Sequence, residues 1–364
     1  MREAGPGQNQ LYHWINMEFK RKASYFLKYV VFSKKFPNLI AVKISKRLRL
    51  RKPFGLPYTI MIEPNNICNL RCPLCPTGTR SLKRELGQME LETFKKIVDD
   101  VGDYIIHLRL WNWGEPLLNK KLYDMIRYAK RKKIFINIST NGIFLNEDNV
   151  ERLVDCGLDE IIVSVDGATQ KTYEKYRVGG DLGKILDGIK LLTEAKKAKK
   201  SRTPYVNLQF ILMSHNEHEI KNIRSIANEL EVNALTFKSV GVMDVELKED
   251  IKKYLPNNPN MGRYIIRNNK IKRRLTQRNM CDTMYDETTI AWNGEILPCC
   301  NDSHAGYSFG NILKENLWNI WRNDKYSKFR CVILTDKSSI PMCKDCPGNT
   351  KDAPVKREII SPIF

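Results

Sequence analysis

The sequence predicts an α/β protein: a partial (βα)6 barrel followed by a small cysteine-rich domain. Three observations carry this. Between residues 58 and 240, short β-branched runs alternate with longer amphipathic stretches, the pattern of a parallel sheet covered by helices. After about Val240 the rhythm stops, and residues 241–280 become polar, rich in Lys, Arg and Asn, with Pro256 and Pro259. Six cysteines then recur between residues 281 and 350.

Taken in order, strands are expected at 58–63, 105–111, 134–139, 160–165, 205–212 and 234–237. Helical periodicity fills the gaps at 91–101, 120–132, 147–156, 182–199 and 217–230. Right-handed crossovers between parallel strands would then build a barrel open on one side, with function at the C-terminal strand ends. Around this core the chain divides into a basic, apolar extension (1–57), the barrel (58–240), a linker (241–280), the cysteine module (281–350) and a loose tail (351–364).

Ten cysteines without a secretory h-region argue against a disulfide framework and for metal binding in a reducing compartment, so a cytoplasmic location is expected. Charge is uneven. Residues 1–57 hold thirteen lysines and arginines against two acids, a net +11 of the chain's +20. Bulky apolar residues such as Phe26, Leu27, Phe32, Phe36 and Ile40 are mixed among them, in runs too short to span a bilayer. A helical extension packed on the main domain and a helix lying on an anionic membrane surface are both consistent with this. No aromatic-lined basic groove or nucleic-acid motif shows, so no nucleic-acid partner is expected.

Directly after the first strand comes Glu63-Pro-Asn-Asn-Ile-Cys68-Asn-Leu-Arg-Cys72-Pro-Leu-Cys75-Pro. C-x3-C-x2-C offers three thiolates, whereas structural zinc wants four N/S ligands. An iron–sulfur cluster with one open iron, and zinc with a distant fourth ligand, both fit the spacing. Trp113-Gly114-Glu115-Pro116, Ser139-Thr140-Asn141-Gly142 and Ser164-Val165-Asp166-Gly167 follow, each just past an expected strand end. Alone, each reads as an ordinary βα turn. In this order, behind the cysteine loop, they resemble the radical S-adenosylmethionine (SAM) superfamily.

That resemblance implies a [4Fe–4S] cluster on Cys68, Cys72 and Cys75, which reductively cleaves SAM to a 5′-deoxyadenosyl radical. It further implies SAM contacts from Gly114, Glu115 and Pro116 (backbone to the amino group) and from Ser139, Asn141, Ser164 and Asp166. Arg177 is similar to a family arginine that meets the SAM carboxylate. Leu74 departs from the pattern, since the family usually has an aromatic residue before its third cysteine.

In the C-terminal module, Cys343-Lys-Asp-Cys346 is a local metal clip. Cys281, then Gly294-Glu-Ile-Leu-Pro-Cys299, resembles the opening of the SPASM motif, with Trp292-Asn293-Gly294 as a hairpin turn. No cysteine follows Cys346, so the module looks like the shortened, one-cluster twitch form. The resemblance then implies Cys281, Cys299, Cys343 and Cys346 as ligands of an auxiliary [4Fe–4S] cluster; a zinc ribbon is the other reading. Cys300, Cys331 and Cys156 are expected to be small buried hydrophobes, although Cys300 could compete with Cys299 as a ligand.

Four thiolates would saturate the auxiliary cluster and suit it to accepting an electron, which points to a radical SAM oxidoreductase. A redox-neutral outcome such as epimerisation, with a structural auxiliary cluster, is the enzymatic alternative; a zinc-stabilised binding protein is the non-enzymatic one. The implied partners are a small-molecule, lipid-linked or peptide substrate and an electron donor such as flavodoxin or ferredoxin. Residues 1–57 add an expected peripheral membrane contact. No catalytic acid or base stands out.

Overall fold

The protein was analysed as a computed structural model, which describes residues 23–241, 249–267, 270–273, 279–344, 346 and 356–361. Six parallel strands form an arc: β1 (Thr59–Ile62), β2 (His107–Leu110), β3 (Phe135–Thr140), β4 (Glu160–Ser164), β5 (Tyr205–Leu212) and β6 (Ala234–Ser239). Helices Leu91–Val101, Leu122–Lys130, Glu147–Asp155, Leu182–Ala198 and Ile220–Glu229 alternate with them. Strand alternation explains the layering. Leu108 and Leu110 of β2, Ile161 and Val163 of β4, and Leu235 and Phe237 of β6 belong to the core shared with the helices. The residues between them face the lumen, which is polar: His107 meets Asn137 at 3.0 Å, and Thr236 donates to Asn207 at 2.8 Å.

The arc is extended at both edges by later segments. β9 (Glu287–Ile290) of the cysteine module pairs parallel with β1, and β10 (Ile296–Leu297) returns antiparallel to β9. The expected turn at Trp292–Gly294 joins them, with Gly294 at φ +86°, where glycine carries no Cβ penalty. At the opposite edge lies a correction. Within the expected loose tail, β11 (Lys356–Ile359) pairs antiparallel with β6. Ion pairs Arg357–Glu160 and Arg224–Glu358, at 2.9 and 2.8 Å, hold it there. Its sequence, KREI, is too short and polar to declare a strand locally; the unpaired edge of β6 makes it one.

The linker also does more than connect. It forms 3-10 turns at Glu249–Tyr254 and Pro259–Met261 and an antiparallel hairpin of β7 (Tyr264–Arg267) and β8 (Lys270–Arg273). Ile251, Tyr254, Leu255 and Tyr264 are buried in one cluster with Leu70, Cys72 and Leu74, so this segment closes over the cysteine loop. The rest of it (242–248, 268–269 and 274–278) lies outside the described residues.

From the N-terminal extension, helix Lys35–Arg47 packs across the N-terminal ends of the strands. Asn38 exchanges hydrogen bonds with the backbone of Leu56, Lys35 Nζ donates to the carbonyls of Lys132 and Lys133, and Lys46 pairs with Asp282 and Asp286. Its other face exposes Phe36, Ile40 and Ile44; Leu48 just after the helix and Leu27 and Phe32 before it are exposed as well. Residues 1–22 lie outside the described residues, and among those described no helix is long and apolar enough to cross a membrane.

Candidate active site

At the C-terminal strand ends a cavity of about 390 Å³ opens between the barrel and the cysteine module. The cysteine loop forms one wall, with Cys68, Cys72 and Cys75 all lining it. Side-chain clamps hold this loop. Arg84 makes a two-pronged contact with buried Glu63, both oxygens at 2.6 Å, and donates to the Ser303 carbonyl of the module at 2.7 Å. Asn66 braces the loop by bonding Gly87 N and the Glu85 carbonyl, each at 2.8 Å.

Burial pushes the Cys68 thiol up to about 11 and raises Cys72, although Arg177 opposes the latter shift. These thiols are therefore neutral in the metal-free chain, and a bound metal would displace their protons. Nitrogen donors already approach the sulfurs: Asn141 Nδ2 lies 3.8 Å from Cys68 Sγ, and Arg177 Nη1 lies 3.9 Å from Cys72 Sγ. Such contacts stabilise thiolate ligands and tune cluster potential. Among the described residues no three ligating side chains converge on one ion. A cubane does not need that, because each thiolate binds a different iron. The donor set fits a cluster.

Of the residues expected to contact SAM, Gly114, Glu115, Ser139, Asn141, Ser164 and Arg177 line this cavity, while Pro116 and Asp166 do not. Gly114 packs so tightly on Asn65 that a Cβ would sit 2.3 Å from its carbonyl oxygen. Glu115 turns its side chain inward. It accepts from Thr140 Oγ1 and Asn141 N, both at 2.7 Å, and from Leu117 N at 3.1 Å, strapping the β2 loop to the β3 loop. Burial nevertheless raises its pKa to about 7, overcoming those three bonds. Pro116 opens the 3-10 turn Pro116–Leu118 beneath.

Asp166 is fully buried. Its Oδ2 accepts from Arg177 Nε at 2.6 Å and its Oδ1 from Ile211 N at 2.7 Å, so it positions Arg177 and the end of β5. Burial opposes the charge on Arg177; Asp166 and Cys72 overcome this and hold its pKa well above the ordinary value. The guanidinium reaches the cavity charged, suited to a carboxylate.

Sequence reasoning missed several lining residues. Trp111, Asn112 and Trp113 extend the β2 loop along the wall, and Gln209 and Ile211 come from the inner face of β5. Period-two alternation would have found the latter pair. Tyr176 and Tyr264 also line the cavity, with Leu74, so aromatic faces are present although position 74 is Leu. Arg263 and Tyr264 arrive from the supposed linker, which carried no local signal.

The cysteine module supplies the remaining wall through Asn301, Pro341, Met342 and Cys346. Trp113 Nε1 donates to the Cys300 carbonyl at 2.8 Å, tying the barrel loop to the module. The thiols of Cys281, Cys299 and Cys343 are each raised by burial and further by neighbouring thiols, Cys346 acting on all three and Cys300 on Cys299 more strongly still. Asn301 Nδ2 lies 2.9 Å from Cys346 Sγ. Cys300 is raised to about 12 by burial and then by Glu287, marking its approach to the barrel side, but Cys346 also acts on it. Cys156 sits in the main core with its thiol donating to the Leu153 carbonyl, and Cys331 is half-buried on helix Asp324–Asp336.

A half-barrel with three thiols, a positioned arginine and a second thiol group beyond one cavity defines a SAM-dependent iron–sulfur enzyme. Comparison with known families places it: residues 62–233 match the Radical SAM superfamily and residues 281–347 match the SPASM iron-sulfur cluster-binding domain. The chain belongs to the radical SAM superfamily and binds SAM, the SAM-cleaving [4Fe–4S] cluster and an auxiliary iron–sulfur cluster.

Among relatives, it is 26% identical to the tungsten-containing aldehyde ferredoxin oxidoreductase cofactor-modifying protein of Pyrococcus furiosus, over 79% of this chain and 86% of that one. It is 22% identical to the S-adenosyl-L-methionine-dependent 2-deoxy-scyllo-inosamine dehydrogenase of Niallia circulans, over 79% and 91%. The structure of Streptococcus suis SuiB bound to S-adenosylmethionine superposes with a TM-score of 0.61, covering 86% of this chain and 76% of that one. At 15% identity, that likeness is one of fold.

Proposed function

We propose that the chain oxidises a small organic molecule held between the Cys68–Cys75 loop and Cys346. One observation carries this: Cys68, Cys72 and Cys75 of the first thiol group and Cys346 of the second border a single cavity. When bound, SAM and the two clusters supply a radical that abstracts hydrogen and an acceptor for the electron left on the substrate. The chain's own residues position and seclude. Arg177, aimed by Asp166, takes the SAM carboxylate; the tight Gly114 turn lets backbone approach its amino group; Ser139, Asn141 and Ser164 bond its polar groups. Tyr176, Tyr264 and the tryptophans of the β2 loop keep water from the reacting carbon. Cys281, Cys299, Cys343 and Cys346 hold the auxiliary cluster, and a flavodoxin or ferredoxin serves as reductant. The near-complete coverage of a relative that bears a dehydrogenase name supports the oxidative form.

The test is anaerobic reconstitution with SAM and a reductant. Cys68→Ala/Cys72→Ala/Cys75→Ala should lose about half the iron and all 5′-deoxyadenosine formation, since each cubane holds four irons. An unchanged yield refutes the assignment. A two-electron oxidised product supports oxidation; a product isomeric with its substrate overturns it in favour of epimerisation.

A second reading rests on the exposed residues Leu27, Phe32, Phe36, Ile40, Ile44 and Leu48, with Phe32 93% exposed, set in the segment that carries +11. We propose that these residues lie on an anionic lipid surface, peripheral to a membrane on its cytoplasmic side. Helix Lys35–Arg47 covers the N-terminal strand ends, whereas the cavity opens at the C-terminal ends. A membrane-bound chain would thus present its cavity away from the bilayer, which favours a soluble substrate over a lipid-linked one. Phe32→Ser/Ile40→Ser/Ile44→Ser should abolish sedimentation with phosphatidylglycerol vesicles. Equal sedimentation of variant and parent sinks the idea.

A further inference from the structure

The lumen has a charge imbalance. Four of its acids are matched by cations: Glu63 by Arg84, Asp166 by Arg177, Glu160 by Arg357 and Glu287 by Arg109, while Glu115 is satisfied by three hydrogen bonds. Two cations near the cavity are not matched. Lys238 alternates with core residues Leu235 and Phe237 on β6 and so faces inward. Its register partner Ile211 lines the cavity. Among the described residues Lys238 has no hydrogen-bond or ion-pair partner. Arg263 lines the cavity itself and, among the described residues, meets only the hydroxyl and carbonyl oxygens of Ser239, at 3.4 Å each.

Burial depresses the pKa of Lys238, as do the charges of Arg109 and Arg263, while Asp166 and Cys300 oppose the shift. Further along the wall, Trp111 Nε1 and Asn112 Nδ2 are buried donors without partners. An ammonium withdrawn from water without a counter-charge is costly, and so is a buried N–H without an acceptor. Among the described residues that line the cavity, the buried side-chain atoms left without a partner are these two N–H donors.

We infer that the substrate carries an oxyanion, a carboxylate or a phosphate, which seats between Lys238 and Arg263 on the β6 side of the cavity. This rests on the reading of the cavity as the substrate space. Arg177, tied to Asp166 beside the cysteine loop, remains for SAM.

The experiment uses reconstituted holoenzyme saturated with SAM, titrated with inorganic phosphate and separately with acetate, and followed by calorimetry and melting temperature. One anion should bind saturably and raise the melting temperature, because a ligand of the native state stabilises it. Phosphate alone identifies a phosphorylated substrate; acetate alone identifies a carboxylic acid. Lys238→Met and Arg263→Gln should each weaken binding by about ten-fold or more, as expected for losing a charged hydrogen bond, whereas Lys238→Arg should retain it. Lys238→Met loses an unpaired cation, so without anion it should melt no lower than the parent, which separates lost binding from lost folding.

Absence of binding by either anion overturns the inference, as does equal affinity in Lys238→Met. Displacement of the anion by SAM overturns it too, by assigning the cations to SAM. Formation of 5′-deoxyadenosine without substrate tests the underlying enzyme reading separately: a protein that cleaves SAM yet ignores both anions loses only the inference.

Discussion

Replacing Asp166 tests how the fold aims its arginine. Asp166→Ala removes two contacts of a fully buried carboxylate, the 2.6 Å bond from Arg177 and the 2.7 Å bond from Ile211 N. Stripping one partner from a buried ion pair costs about 3–5 kcal/mol, and an orphaned backbone N–H costs about 1–3 kcal/mol more. These share one side chain and do not add fully, so a loss of about 4–5 kcal/mol is expected. For a chain this long, about 2 °C per kcal/mol converts that into a drop of roughly 10 °C in melting temperature.

Asp166→Asn keeps an acceptor for Ile211 N but leaves Arg177 uncompensated, and should fall between the two. The decisive variant is Asp166→Asn/Arg177→Gln, which removes both charges. Neutralising both partners relieves the unpaired charge, so most stability should return. SAM affinity should not, because the guanidinium is gone. Scanning calorimetry and equilibrium dialysis of SAM with reconstituted protein read the two effects independently. If the double variant regains SAM affinity, or if Asp166→Ala binds SAM as the parent does, Arg177 is not the carboxylate anchor and the argument fails.

Three further predictions follow from the same site. Gly114→Ala places a Cβ 2.3 Å from the Asn65 carbonyl; an overpacking strain of about 1–3 kcal/mol should weaken SAM binding about ten-fold, and an unchanged dissociation constant would show that this turn does not bear on SAM. Glu115 has its pKa raised to about 7, so its contribution to folding is complete below its ordinary range and is lost as pH climbs through about 7. The stability gap between parent and Glu115→Gln should therefore narrow by about 2 kcal/mol from about pH 5 to about pH 8; denaturant titrations showing a constant gap would refute the burial argument. Cys300→Ala should keep the auxiliary cluster and Cys346→Ala should lose it, read as iron content and electron paramagnetic resonance of the reduced protein; the reverse result would exchange the two as ligands.

Some of this was legible in the chain itself. β5 appears at its expected bounds because Val206, Leu208 and Phe210 alternate with Asn207 and Gln209, and a helix cannot use that period. The C-x3-C-x2-C loop was legible because its chemistry is carried by residue type and short spacing, whereas Gly114 and Arg177 were marked only by their resemblance to family segments. Other contributions were not. β11 exists only because β6 offers an edge 119 to 125 residues away by sequence, as its pairs Lys356↔Phe237 and Ile359↔Ala234 require. Neighbouring residues cannot signal such a partner.

Asp166 and Glu115 show the same division at the site. The family resemblance gave Asp166 a contact with SAM and gave Glu115 one through its backbone, and said nothing of where either carboxylate would pack. Packing then buried both carboxylates: one now aims Arg177, and the other straps two loops. Arg263 and Tyr264 reverse the case, because a polar segment with no local pattern folds back over the cysteine loop on the strength of Ile251, Tyr254 and Leu255. Residue type and spacing determined which chemistry this protein carries, because thiolates and glycine turns act over a few residues. Burial and charge pairing are sums over distant segments, so only the tertiary structure decided which acids were matched, and left Lys238 on the lumen face of β6 without an ion-pair partner among the described residues.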